Sequence, residues 1–252
     1  MLYSDAGSQG DAMETSERRT PRMRALKARL RPLLAGEDWQ DHLTEIEDYG
    51  LSAVGPLIAC LPLEPLTRHR AAVALGRVVN RIAEAHPEDM RNIMRRLMWH
   101  MNEESGNIGW GIPEAFGEIA AACPQAGREF HRVLISYIIE LEKDDNFCDQ
   151  DVLRRSCYWA IGRLAQSRPD LAAPARPWLR KGAALDRDTV CRGMAAWALS
   201  CLGPTLDDMP VLRTLAASGD QTPCTIFDGQ TVHDLPLADV AARALSAPAQ
   251  LS

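Results

Sequence analysis

Small and large apolar residues recur along this chain in a fixed frame. The stretch "RHRAAVALG", Arg68 to Gly76, places Ala71 and Ala72 five and four positions before Gly76, and Ala74 and Leu75 two and one before it. The frame returns at Gly117 (Ile112-Pro113, Ala115-Phe116), Gly162 (Cys157-Tyr158, Ala160-Ile161), Ser200 (Ala195-Ala196, Ala198-Leu199) and Ser246 (Ala241-Ala242, Ala244-Leu245). Successive anchors lie 41, 45, 38 and 46 residues apart. This spacing puts the apolar positions on one side of a helix. A Gly or Ser anchor admits close approach of a neighbour, at a helix-propensity cost of up to about 1 kcal/mol.

A second amphipathic segment precedes each of these helices: 51–61, 87–101, 126–142, 170–183 and 206–218. Pro174 and Pro177 shorten or kink the fourth. Each unit therefore reads as helix A, loop, helix B. A lone helix pair cannot cover its own apolar faces, so the units must stack. One segment departs from the plan. In "TIFDGQTVHDL" (225–235), β-branched residues flank Asp228-Gly229, which predicts a small hairpin inserted before the last helix B; the alternative is an irregular loop.

The motif Arg68-x-x-Ala71-Ala72-x-Ala74-Leu75-Gly76, with Arg192-x-x-Ala195-Ala196-x-Ala198-Leu199 and Arg154 at the matching place in the third copy, resembles the HEAT-repeat family, particularly the short PBS-lyase HEAT-like repeats. The resemblance covers about residues 45–248. It implies an all-α fold, a right-handed α-α superhelix of about five helix pairs. The repeats run roughly 45–85, 86–124, 125–168, 169–203 and 204–248 within a single domain, 21–252. It implies little about activity, because such folds host scaffolds, lyase subunits and DNA-repair enzymes alike.

In HEAT stacks the B helices line the concave side. Positions seven and three before each anchor and one after it share a stripe that avoids the packing positions. That stripe carries Arg77, Trp110, Glu114, Glu118, Arg155, Trp159, Arg163 and Trp197. Stacked helices lie about 8–10 Å apart, so Arg77, Arg155 and Arg163 are placed to reach Glu114 or Glu118. These residues form either inter-repeat salt bridges with packed tryptophans or a ligand groove with aromatic walls, the combination enriched at binding hot spots.

The second unit lacks the arginine. Gly109 stands in its place and Pro113 falls in the first helical turn, so helix B starts late, near Gly111. The preceding loop holds Glu103, Glu104, Ser105 and Gly106. Glycines before a helix N-terminus can cradle phosphate, but these acids and the missing P-loop lysine oppose an anion. They suit a cationic partner, or they cap exposed N–H groups. The next loop, 140–151, holds six acids, among them Asp144, Asp145 and Asp149, against one lysine. Together the loops predict an acidic edge, either suited to a basic segment or simply solvated.

A net charge of −6 disfavours a nucleic-acid wrap. No run of about 18 apolar residues occurs, and residues 1–20 are polar and lack a secretory core. A disordered tail and a cytoplasmic protein are expected. Seven cysteines form no C-x-x-C pair and no metal spacing appears, so no metal or cofactor is expected.

Two functions follow. The first is a non-catalytic scaffold holding a protein or peptide, basic in character, in the helix-B groove. The second is an enzyme resembling HEAT-like alkylated-base DNA glycosylases, with Glu114 stabilising an oxocarbenium charge and Arg155 beside it, or a protein similar to bilin lyases. No nucleophile-base constellation demands catalysis, which favours the scaffold.

Overall fold

The computed structural model describes residues 23–101, 109–143 and 146–247. Within them the chain is mostly helical, in line with the all-α reading. Residues 23–35 form α1, and the short α2 (Leu43–Asp48) and α3 (Leu51–Ile58) follow. The five anchor motifs fall in α4 (Pro65–Ala85), α6 (Ile112–Ala122), α8 (Asp151–Ser167), α11 (Thr189–Cys201) and α13 (Leu237–Ser246). Between them run α5 (Pro87–Met101), α7 (Pro124–Ser136), α9 (Pro169–Ala172), α10 (Arg176–Leu185) and α12 (Met209–Ala217). Most of these helices open on a proline in the first turn, where its missing N–H costs nothing and its fixed φ suits the helix.

The anchor helices pack in sequence order: α4 on α6, α6 on α8, α8 on α11, α11 on α13. A second row, α5, α7, α9–α10 and α12, packs behind them, each touching its own partner in the first row. The core lies between the rows. Leu75, Phe116, Ile161 and Leu199, the residues just before the first four anchors, are all buried, each contributing roughly 1.5–3 kcal/mol. The anchors sit where the frame requires smallness. A Cβ on Gly76 would lie 2.9 Å from the carbonyl oxygen of Glu118, and one on Gly117 2.7 Å from Cα of Ala160. Gly162 abuts the Trp197 ring in the same way.

Two of the arginines eight positions before the anchors, Arg68 and Arg154, fasten the loop that leads into their helix. Arg68 donates from Nε to the Leu61 carbonyl at 3.0 Å and from Nη2 to the Leu63 carbonyl at 3.1 Å. Arg154 is buried and bonds the carbonyls of Cys148 and Asp149. It also takes both oxygens of Asp186 at 2.8 Å.

One second-row segment ends earlier than its hydrophobic pattern predicts, and another is broken at the prolines that predicted a kink. Helix α7 stops at Ser136, because the chain folds back, with the Cys148 N–H on the Tyr137 carbonyl and Asn146 Nδ2 on Ser136 Oγ. The 170–183 segment breaks at its prolines into α9, a 3-10 turn at Ala173–Ala175, and α10.

The hairpin is present. Strands β1 (Pro223–Phe227) and β2 (Val232–Pro236) pair antiparallel, from Pro223 opposite Pro236 to Phe227 opposite Val232. Its turn is the four-residue Asp228–Thr231, in which Asp228 Oδ1 accepts from the N–H groups of Gln230 and Thr231, both at 2.9 Å. It lies across the anchor row. Cys224 fills the space against Gly193 of α11, and at the tip Gln40 Nε2 donates to the Gly229 carbonyl at 3.2 Å. Arg70 of α4 reaches the Gln230 carbonyl at 3.5 Å. The last unit is thus laid over the first.

Candidate functional site

The predicted stripe is where the hairpin lands, so its middle is covered at Trp159, while Arg155, Arg163 and Trp197 stay half-buried and Arg77 exposed. Phe227 stacks on His69 of α4, His69 contacts Trp159 of α8, and Trp159 stacks on Trp197 of α11, with ring centroids 4.9, 4.6 and 6.1 Å apart. Four rings from four elements form one continuous pile. Trp159 is 2% exposed and His69 6%. Trp110, at the turn before α6, is half-buried and not part of this ring pile.

The charged residues of the stripe divide into pairs, and only one matches expectation. Arg163 Nε donates to Glu118 Oε1 at 2.9 Å. Arg77 instead pairs with Glu47 of α2, because α2 packs along α4. Arg155 turns away from both glutamates and grips Asp188 at 2.8 and 2.5 Å. Asp188 is the N-cap of α11 and also accepts the Cys191 N–H. The arginine nearest Glu114 is Arg68, with Nη1 3.8 Å from Oε1.

Glu114 is the unusual member. It sits in the first turn of α6, placed there by Gly111, whose φ of 76° puts the N-cap in the left-handed region. A side chain at Gly111 would be strained and would also strike Leu61. Glu114 is 3% exposed, and Ser156 Oγ donates to its Oε1 at 2.9 Å. Its other oxygen, Oε2, is buried with no hydrogen-bond partner among the described residues. Burial pushes the carboxyl above its ordinary pKa, against the opposing pull of Arg68, its own backbone N–H and Ser156. Glu118 is raised by burial too, with Arg163 opposing.

A cavity of about 190 Å³ adjoins this carboxyl. Its wall carries Arg68, His69, Glu114, Arg155, Ser156 and Trp159, and the hairpin closes one side with Pro223 and Thr225. Two more wall residues each hold a buried atom without a partner among the described residues: Trp159 at Nε1, a donor, and His69 at Nδ1. Burial, aided by the charge of Arg68, holds the His69 imidazole down to a pKa of about 3, so it is neutral at pH 7. One acceptor, one donor and a neutral imidazole thus belong to side chains that line the same small space. Unsatisfied buried groups each cost about 1–3 kcal/mol, and a ligand supplying the complementary groups recovers that.

No family model matches the chain. Over 146 residues, 58% of this chain and 72% of the relative, it is 30% identical to an uncharacterized protein of Archaeoglobus fulgidus. The chain belongs to the family of that archaeal protein. The relative's name states no activity, so any role rests on the site.

Of the acidic edge, Glu103, Glu104, Ser105, Gly106, Asp144 and Asp145 lie outside the described residues. Gly109 and Gly111 are buried at the entry to α6, and Asp149 is exposed. Among the described residues no cluster of His, Cys, Asp or Glu side chains has the makings of a metal site, and no helix is long and apolar enough to cross a membrane. Sequence reasoning missed Arg68, Ser156 and the hairpin as parts of the site. His69 lies seven positions before Gly76 and so on the stripe, a signal the sequence did offer.

Proposed function

We propose that the protein is a non-catalytic binding module of HEAT-like repeats, its two rows of helices forming a right-handed solenoid. It takes one N–H-bearing side chain of a protein or peptide partner into the cavity at Glu114. The observation that carries this reading is the buried, unpartnered Oε2 of Glu114, a residue of the cavity wall. Such an atom calls for a donor, and Trp159 Nε1 beside the same space calls for an acceptor. Ionic groups on the wall already pair, Glu114 with Arg68 and Arg155 with Asp188, so a lysine, arginine or side-chain amide enters a nearly charge-balanced pocket. A peptide lying along the whole stripe does not suit the covered face. The exposed Asp149 edge would receive the rest of a basic partner.

Selection from a random peptide library tests this. The wild type is expected to enrich peptides with one fixed N–H-bearing residue, and Glu114→Leu to lose that enrichment while staying folded. Equal enrichment by both proteins overturns the reading.

A second reading is enzymatic, resembling HEAT-like alkylated-base DNA glycosylases. It is favoured by the same carboxyl sharing a cavity wall with an indole and two arginines. Against it stand the burial of Trp159 and the net charge of −6. Incubation with alkylated duplex DNA at low salt decides: release of free base that Glu114→Gln abolishes supports it, and no release removes it.

A further inference from the structure

The hairpin divides the anchor-row face in two. On the side away from Glu114 lies a second cavity of about 530 Å³, toward the C-terminal ends of α8, α11 and α13. That volume falls within the range of small-molecule sites, roughly 300–1,000 Å³. Its wall includes Trp197, Phe227, Gln166, Asp228, His233 and Arg243. We propose that this cavity binds a small planar anion, an aromatic carboxylate, with its ring on Trp197, next to the buried Phe227, and its charge on Arg243.

Three observations carry the proposal. First, both wall rings are held in place from behind, Trp197 by stacking on Trp159 and Phe227 by stacking on His69. Rings that do not reorient on binding lose little entropy to a flat ligand. Second, the ionic groups on the wall are unequally committed. Asp228 is bound to the turn N–H groups and to His233 Nε2 at 2.7 Å. Arg243, exposed in the last turn of α13, has no ion pair or hydrogen bond among the described residues. Among the described residues the cavity therefore presents one uncommitted charge, and it is positive. Third, Gln166 adds a side-chain amide that gives one N–H to Cys201 Sγ at 3.6 Å and keeps a second for a ligand. An aromatic carboxylate fits this set: a ring for the rings, oxygens for the guanidinium and the amide.

This site is separate from the one at Glu114 and stands independently of its reading. Isothermal titration calorimetry with indole-3-acetate and its neutral counterpart indole-3-acetamide tests it. The acid should bind the wild type at least about tenfold more tightly than the amide, the worth of a charge-assisted hydrogen bond. Arg243→Gln, an exposed substitution that leaves the core alone, should erase that preference, and Glu114→Gln should leave it intact. The proposal is overturned if the two probes bind equally, if neither binds at millimolar concentration, or if Arg243→Gln keeps the preference.

Discussion

Phe227 lies flat on His69, with ring planes 6° apart, although the two residues belong to the last and first units of the array. That contact makes the hairpin part of the core. Phe227→Ala should therefore cost about 3 kcal/mol, as for a buried aromatic truncated to alanine. Urea denaturation gives the number, and the hairpin amides should lose exchange protection before those of α8. A cost below about 0.5 kcal/mol would mark the hairpin as a loosely laid ornament.

The same contact makes a prediction about acid. His69 is buried neutral, with a folded pKa of about 3 against an ordinary 6.5. A depressed pKa of this kind contributes stability that is complete above 6.5 and is lost as pH falls toward 3. Between pH 7 and pH 4 the loss amounts to about 3 kcal/mol. His69→Phe should lose that much less over the same interval, a difference read from paired denaturation curves.

Glu114 runs the other way. Its folded pKa is raised by burial, so the wild type gains from protonation as pH falls and bears the carboxylate's burial at higher pH. Glu114→Gln removes the charge with little change of shape. The variant should be the more stable protein at pH 8, with the gap closing toward pH 4. A variant less stable at pH 8 would mean that the Arg68 and Ser156 contacts outweigh the burial.

Glycine substitutions should separate by what a new Cβ meets. At Gly117 it meets Ala160 backbone at 2.7 Å, which cannot move without shifting α8, and Gly117→Val should destabilise by roughly 3 kcal/mol or more. At Gly55, inside α3, it meets only the end of the Met23 side chain at 3.5 Å. Gly55→Ala should be neutral or stabilise by up to about 1 kcal/mol. Thermal melts of the two variants suffice as a check.

What could be read in advance follows from how local each feature is. The Gly76, Gly117 and Gly162 frame was readable because each anchor is pressed against the next first-row helix, so the demand for a small residue repeats in the chain. Helix α5 matched its predicted bounds because Pro87 starts it. The Glu118–Arg163 pair was readable from one helix to the next. The partners of Arg77 and Arg155 were not, since Glu47 sits on an extra N-terminal helix and Asp188 serves a cap. The hairpin was legible as a hairpin, but its direction was not. Nothing in residues 225–235 says that Phe227 should cross three helices to reach His69.

That crossing changes how the molecule responds to load. A row of units touching only sequence neighbours behaves like an open spring and melts from whichever end is weaker. Here Gln40 and Gly229, 189 positions apart, share a hydrogen bond, and a clasp closes the spring. Stretching, twisting or fraying of one end is felt at the other, so the array should come apart as one cooperative body and not peel unit by unit.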